Sequence, residues 1–168
     1  MNYRIIAVLL CLLLVGCSAK TDPVETSAPV EEVSTQIPNP WKGYPSLAEA
    51  EAACGLTFPM PELIADNYAA ESFRVMNEQL LEVTYRDGDF SVIVRMQAGE
   101  DQDLSGVYGE FENVQTSVFD GATITSKDID GGIVQLISKD GYSYSLYAPK
   151  HYVGDSNVEF LQYLYDAK

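Results

Sequence analysis

The chain has 168 residues, of which 25 are acidic and 10 are basic, so its formal net charge is −15. A surface of this sign repels the phosphates of DNA and RNA, and we therefore expect no nucleic-acid partner. It also repels an anionic lipid surface. Any attachment to a membrane must then come from something other than the charge of the folded protein.

The first residues have the pattern of an export signal. Arg4 precedes an apolar run over residues 5–15, which as a helix would span about 16 Å and is too short for a ~30 Å bilayer core. The following Leu14-Val15-Gly16-Cys17 resembles the lipobox of bacterial lipoproteins, although Val15 is bulkier than the usual residue there. We predict that residues 1–16 are a signal peptide and that a diacylglyceryl group is attached to the thiol of Cys17. The alternatives are an uncleaved membrane anchor or an ordinary signal peptide.

The predicted mature chain divides into a tether and one domain. Residues 17–40 comprise the lipidated cysteine and a disordered tether rich in Ser, Thr, Pro and Glu, which as a coil would span roughly 25–30 Å. Residues 41–168 are long enough for a single domain with its own core. Cys54 is the only other cysteine left, so we expect no intrachain disulfide and interpret it as a small packing residue.

Local signals predict a helix at each end of this domain. Ser46-Leu47-Ala48-Glu49 has the spacing of a capping box, and Gly55 is suited to end a helix over residues 46–54. Ser156-Asn157-Val158-Glu159 repeats the spacing before a second helix, whose apolar residues fall on one face as far as Tyr165.

Between the helices, alternating apolar and polar residues and repeated Asp-Gly pairs predict strands joined by tight turns. The Asp-Gly pairs are Asp87-Gly88, Asp120-Gly121, Asp130-Gly131 and Asp140-Gly141. The predicted strands are 69–76, 81–86, 90–96, 122–128, 132–138 and 142–148. The expected fold class is α+β: an antiparallel meander of about six strands, covered on one face by the N-terminal and the C-terminal helix.

Several short motifs between Asn39 and Ala148 carry a resemblance to known proteins. They are Asn39-Pro40-Trp41, Ser46-Leu47-x-Glu49-Ala50, Phe58-x-x-Pro61, Val83-x-Tyr85, Ile93-x-Arg95 with Gly99, and Asp103-Leu104-Ser105-Gly106-x-Tyr108. With these motifs the stretch resembles a family of uncharacterised lipoproteins from Gram-positive anaerobes, and related domains lie outside the membrane in some anti-sigma-factor-like proteins. The resemblance implies an extracytoplasmic domain and no particular chemistry.

An acidic loop, predicted over residues 98–113, is long for a connection between strands, and long loops are often functional. Asp101, Asp103 and Glu110 are its candidate ligands for calcium, which prefers several oxygen atoms. The spacing does not match the twelve-residue calcium-binding loop of helix–loop–helix proteins. The other interpretation is a solvated acidic loop.

Hydrolytic chemistry would need Ser105 and the single histidine, His151, to meet in a triad. Ser105 is not in the Gly-x-Ser-x-Gly pattern of hydrolases. One histidine with a single remaining cysteine does not make a typical zinc site. We therefore expect no enzyme activity and no cofactor.

The expected function is a non-catalytic binding or sensing module, lipid-anchored at the extracytoplasmic face of the cell membrane, with an envelope protein or glycan as partner. Exposed tyrosines would suit such partners, and Tyr142, Tyr144 and Tyr147 lie on one predicted strand. The interpretation we favour for these tyrosines is that they fill the interface between sheet and helices. One alternative is a carrier that holds an apolar ligand such as lipid between sheet and helices. The other is an envelope hydrolase using two carboxylates of the acidic loop.

Overall fold

A computed structural model describes residues 39–65, 67–152, 161–164 and 166, all within one compact unit, Pro38–Lys168. The elements in chain order are β1 (Trp41–Tyr44), α1 (Leu47–Cys54), β2 (Leu63–Ile64), β3 (Tyr68–Met76), β4 (Leu80–Asp87), β5 (Phe90–Ala98), β6 (Glu112–Phe119), β7 (Ala122–Ile129), β8 (Gly132–Lys139), β9 (Tyr142–Pro149) and a 3₁₀ turn (Lys150–Tyr152).

The strands form one antiparallel sheet in the order β1-β3-β4-β5-β9-β8-β7-β6, with β2 paired to the first residues of β3. Two runs of hairpins, β3 to β5 and β6 to β9, are joined where β5 pairs with β9. The chain therefore leaves β5 in the middle of the sheet and must reach β6 at its edge. Residues 99–111, called the crossover segment below, make this connection past three strands.

Helix α1 begins and ends as its sequence predicts. The backbone N–H of Glu49 donates to Oγ of Ser46 over 3.3 Å, and Gly55 has the left-handed backbone (φ 69°) that ends the helix. The helix packs on β1, β3 and β4, and its residue Ala50 is fully buried in this contact. We call the sheet surface under α1 the helix face, and the opposite surface the crossover face.

The helix face carries the main hydrophobic core. Its central strands contribute every second residue, because successive side chains of a strand point to opposite faces. The buried residues of these strands on this face are Leu81, Val83, Tyr85, Val92, Val94, Met96, Tyr144 and Leu146. Leu164 also belongs to this core, and residues 161–164 are helical. The predicted start of that helix at Ser156 lies outside the described residues.

Two of the predicted Asp-Gly turns have positive φ at both residues, as a two-residue hairpin turn requires. The φ values are 44° and 78° at Asp120-Gly121 and 52° and 84° at Asp140-Gly141. The first hairpin differs by one residue. Asp87 is the last residue of β4 and pairs with Phe90, so the turn there is Gly88-Asp89.

The α+β class is confirmed, but its finer description was wrong. The sheet has nine strands rather than about six, and it is not one continuous meander. β1, β2 and β6 were missed, because short strands and a strand exposed on both faces carry no clear alternation. The helical cover also differs, since α1 packs chiefly at one end of the sheet. None of the helices in the described ranges is long and apolar enough to span a membrane.

Candidate functional site

The crossover face is covered as well as the helix face. Glu82 and Ser143 are fully buried there, and Thr84 and Ser145 are nearly so. These polar side chains alternate with the core residues and would face water in a sheet covered on one side only. The crossover segment lies over part of this face and shields some of the polar side chains of the strands from solvent.

A buried carboxylate between two arginines dominates this face. Arg74, Glu82 and Arg95 occupy matching positions on β3, β4 and β5, so their side chains lie side by side. Arg74 Nε donates to Oε1 of Glu82 over 2.8 Å, and its Nη2 donates to the same oxygen. Arg95 Nε donates to Oε2 over 2.8 Å. Both carboxylate oxygens are therefore bound by charged donors, as a buried charge requires.

Trp41 covers the two guanidinium groups. The centre of its ring system lies 4.9 Å from Cζ of Arg74 and 5.6 Å from Cζ of Arg95, which is within the range of a cation–π interaction. We call Trp41, Arg74, Glu82 and Arg95 the arginine cluster. It carries two positive charges and one negative, so it is a locally cationic site in a chain with a net charge of −15.

Arg95 also holds the crossover segment. Its Nη1 donates to the carbonyl oxygens of Leu104 and Ser105. Gly106 follows with φ 67°, and a Cβ built there would lie 2.8 Å from the same nitrogen. Glycine is thus favoured at this position both by the backbone conformation and by the close approach of the guanidinium.

Further hydrogen bonds attach the start of the segment to β8 and β9. The backbone N–H of Asp101 donates to Ser138 Oγ over 2.8 Å, and that of Gln102 donates to Ser143 Oγ over 3.0 Å. Ser143 Oγ in turn donates to the carbonyl oxygen of Gly99 over 2.8 Å. The segment therefore has a fixed position on the sheet, although it contains no regular secondary structure.

An ion pair adds a third attachment, to β7. Lys127 Nζ lies 2.7 Å from Oδ2 of Asp103. Partial burial acts to raise the pKa of Asp103, but hydrogen bonds from Lys127 and Ser105 outweigh it and hold this pKa below its usual value. Lys127 Nζ also lies 4.7 Å from the ring centre of Phe111.

Beside the arginine cluster, the segment and the sheet enclose a pocket of about 190 Å³, called the Arg95 pocket below. It is lined by Ile93, Arg95, Ser105, Val107, Ser145 and Tyr147. Ile93 and Val107 provide apolar surface, while Arg95 provides a charge fixed by its bonds to Glu82 and the crossover segment. Such a mixture of apolar walls and a few fixed polar groups is typical of binding sites.

Three other pockets differ in character. One of about 360 Å³ lies around the Asp103–Lys127 pair, and one of about 600 Å³ lies at the end of the segment, where Glu110 lines it with Asp128 and Asp130. A helix-face pocket of about 270 Å³ lies near Met96 and Leu164. The last is smaller than the ~300–1,000 Å³ usual for a small-molecule site, so it gives no support to a lipid carrier.

The structure does not bring the candidate calcium ligands together. Asp101 and Asp103 line the pocket around Lys127, whereas Glu110 lines the 600 Å³ pocket. Asp103 is engaged by Lys127 and by Ser105. Within the described ranges, no three His, Cys, Asp or Glu residues are grouped so that they could hold a metal ion.

The candidate nucleophile is part of a local turn. Ser105 Oγ donates to Oδ1 of Asp103 over 2.6 Å and accepts the N–H of Val107 over 3.2 Å. These bonds shape the crossover segment around the Arg95 pocket. The side chain of His151, the proposed base, lies outside the part of the chain that the structure describes.

The tyrosines of β9 divide between the two faces, as the strand pattern predicts. Tyr144 is buried in the helix-face core next to Tyr142, with ring centres 6.4 Å apart, and burial raises the pKa of Tyr144 to about 12. Tyr147 faces the other way and lines the Arg95 pocket. The interpretation that tyrosines fill the interface therefore fits Tyr144, while Tyr147 lies where a ligand could touch it.

The arginine cluster was not recognised in the sequence. In the sequence, Trp41 and Arg95 stand out only through the family resemblance, and no local pattern links Glu82 to either of them. A turn at Asp87-Gly88 would have placed Glu82 opposite Ile93, whereas the observed turn, one residue later, pairs Glu82 with Arg95. The register of one hairpin was therefore the missing signal.

Comparison with protein-family models, curated proteins and solved structures finds no significant match to this chain. A function must therefore rest on the chemistry of the site itself.

Proposed function

We propose that this protein is a non-catalytic binding module, held at the outer side of the cell membrane by a lipid on Cys17, and that its ligand enters the Arg95 pocket. The observation that carries the ligand site is the fixed guanidinium of Arg95 at the wall of a pocket otherwise lined by Ile93, Val107, Tyr147 and two serines. The anchor is supported by the export signal and lipobox-like pattern of the sequence.

The size of the pocket limits what enters it. About 190 Å³ is below the usual range for a whole small-molecule ligand, so the pocket takes one group of a larger partner. An envelope protein or a glycan can present such a group. The rest of the partner would lie along the crossover segment.

The charge of the pocket indicates the kind of group. The guanidinium group of Arg95 has only hydrogen-bond donors and no acceptor. Arg74 and Arg95 together exceed Glu82 by one positive charge. A carboxylate or an amide carbonyl with a short apolar stem therefore fits best, because the oxygen meets Arg95 while the stem meets Ile93 and Val107.

Trp41 provides the readout for a binding test, since it is the only tryptophan and lies against Arg95. The full chain, solubilised in detergent, is titrated with N-acetylglycine, its amide and N-acetylglucosamine while Trp41 emission is recorded. We expect a saturable change that is largest for N-acetylglycine, with Kd on the order of millimolar for so small a probe. Val107→Phe, which fills the pocket, should abolish the change. Val114→Phe on the exposed strand β6 is the matched control and should retain it.

The partner is sought by affinity capture from the native envelope with the wild-type chain and with Val107→Phe, followed by mass spectrometry. A protein or glycan held by the wild type and lost by Val107→Phe supports the proposal. Equal capture by both chains, together with no saturable response to any probe, would contradict a role for the Arg95 pocket.

The anchor has its own test. We expect Cys17→Ser to be released into the medium or to remain uncleaved, because the thiol is the predicted attachment point of the diacylglyceryl group. Unchanged membrane fractionation of a correctly processed Cys17→Ser chain would contradict lipidation.

A further inference from the structure

A second pocket adjoins the Arg95 pocket. Val107 lines both the Arg95 pocket and the pocket of about 600 Å³ at the end of the crossover segment, so the two are neighbours. The larger one has a volume within the ~300–1,000 Å³ usual for a ligand site. We call it the Tyr108 pocket, and its polar and aromatic lining includes Tyr108, Glu110, Phe111, Asp128, Asp130 and Lys150.

The two pockets follow one another along β9. Arg95 is paired with Ser145 of β9. Pro149 lies four residues further along the same face, and its row continues through Gly132 to Ile129, which lines the Tyr108 pocket. Four residues of strand span about 13 Å. An extended peptide of about four residues therefore has the length that joins the two pockets.

Tyr147 and Gly132 form the passage between them. The ring of Tyr147 lines the Arg95 pocket, and its Cε2 lies 3.3 Å from the place where a Cβ of Gly132 would be. The ring therefore reaches the row of Ile129, and glycine at position 132 places no side chain in the way. A ligand held at Arg95 can continue over Tyr147 into the Tyr108 pocket.

The Tyr108 pocket has the opposite charge to the Arg95 pocket. Glu110, Asp128 and Asp130 are exposed at its wall, and Lys150 is its one basic lining residue, which leaves an excess of two negative charges. Asp128 accepts a hydrogen bond from Nδ2 of Asn113 over 3.2 Å, which leaves its charge uncompensated. None of the three carboxylates is in an ion pair with a residue that the structure describes.

Aromatic rings add to this preference for a cation. Tyr108 is 94% exposed, so its ring is open to a ligand at the mouth of the pocket. Phe111 already has the ammonium group of Lys127 4.7 Å from its ring centre. Rings next to carboxylates attract lysine and arginine side chains, because the apolar stem contacts the ring while the charged end meets the carboxylates.

We propose that the ligand is a peptide whose free carboxyl terminus binds Arg95 and whose lysine or arginine, three residues before that terminus, places its side chain in the Tyr108 pocket. This inference rests on the proposed function, since it assigns a carboxylate to the Arg95 pocket. A peptide fits because it carries opposite charges at the separation of the two pockets, about 13 Å. The field of a chain with a net charge of −15 also attracts a basic peptide.

Peptide titration tests the pairing of charges. The full chain in detergent is titrated with acetyl-Lys-Ala-Ala-Ala, with acetyl-Gln-Ala-Ala-Ala and with the carboxyl-terminal amide of the lysine peptide, while Trp41 emission is recorded. We expect the lysine peptide to bind about tenfold more tightly than the glutamine peptide, which lacks the cation. It should also bind about tenfold more tightly than its amide, which lacks the carboxylate.

Charge-neutralising variants locate the cation. Glu110→Gln combined with Asp130→Asn should remove the preference for the lysine peptide and leave the Kd of N-acetylglycine unchanged. The Asp130-Gly131 turn tolerates this change, because Asn-Gly is also a favoured hairpin turn. Glu62→Gln combined with Glu78→Gln is the matched control, since these exposed carboxylates line neither pocket and the loss of charge is the same. It should retain the preference.

The outcomes separate this inference from the proposed function. If N-acetylglycine binds but the lysine and glutamine peptides bind equally, the inference is overturned and the Arg95 pocket stands. The inference also fails if the preference survives in Glu110→Gln/Asp130→Asn, if the control pair loses it equally, or if the amide binds as tightly as the acid. A chain that responds to no probe, N-acetylglycine included, would overturn both.

Discussion

Arg95 Nε lies 2.8 Å from Oε2 of Glu82, a carboxylate that is completely buried although it is on a strand face expected to meet water. The same arginine holds the carbonyl oxygens of Leu104 and Ser105 in the crossover segment. One side chain thus joins the centre of the sheet to the segment that forms the proposed binding pocket. Changes in the buried charge should therefore alter both stability and the pocket.

Glu82→Gln should lower the free energy of unfolding by about 3 kcal/mol, the lower end of the range for breaking a buried ion pair, because Arg74 is partly exposed. Without the carboxylate, Arg95, whose side chain is only 17% exposed, loses the counter-charge of Glu82. Urea unfolding measures the loss. Glu71→Gln is the matched control, since its pair with Arg86 is exposed and should contribute at most about 1 kcal/mol. Similar losses in the two variants would show that the buried pair has no special role.

Gly106→Ala should destabilise the crossover segment. A left-handed backbone at alanine costs about 1–2 kcal/mol. The new methyl group would also lie only 2.8 Å from Nη1 of Arg95, so the guanidinium would have to move. Gly109→Ala separates the two effects, because its φ is 142° but nothing lies within 4 Å of the added carbon. We expect both variants to lose stability and only Gly106→Ala to change Trp41 emission, since only it displaces Arg95. An identical emission change in both would contradict contact between the segment and the arginine cluster.

Asp103→Asn should lower the stability of the folded protein by an amount that depends on pH. The pKa of Asp103 is lower in the folded state than in the unfolded state, so its stabilising effect is present above the unfolded pKa and is lost as the pH falls through the folded pKa. The melting temperature of Asp103→Asn should therefore lie below that of the wild type at pH 7, and the two should converge in acid. Asp130→Asn, a carboxylate without an ion pair to any described residue, should show no such convergence. A constant difference at all pH values would exclude the ion pair as its cause.

Tyr144→Phe should reduce the loss of folding stability at alkaline pH. Burial raises the pKa of Tyr144 to about 12 in the folded state, so the neutral phenol favours folding below pH ~10 and this advantage disappears as the pH rises through the folded pKa. The denaturation midpoint of Tyr144→Phe should fall less between pH 8 and pH 11.5 than that of the wild type. Tyr142→Phe, on the same strand but only half-buried, is the control. A wild-type midpoint that declines no faster than that of Tyr144→Phe would contradict the buried phenol.

The sequence alone determined the features that depend on neighbouring residues. Helix α1 begins at the Ser46 cap and ends at Gly55, and the Asp120-Gly121 and Asp140-Gly141 turns are where the pattern predicted them. Alternation located most central strands, because burial of one face imposes a period of two. The lipidation site at Cys17 likewise follows from a local pattern and stays a prediction.

Only the tertiary structure decided which strands meet and what their polar faces do. The pairing of β5 with β9 and the position of β6 at the edge depend on contacts far apart in sequence, which local patterns do not encode. The ion pairs of the buried Glu82 required three strands in one register, which places Arg74 and Arg95 on either side of it. A one-residue difference in the position of the first turn decides whether Glu82 pairs with Ile93 or with Arg95. The arginine cluster and its pocket therefore arise from register, which long-range packing fixes.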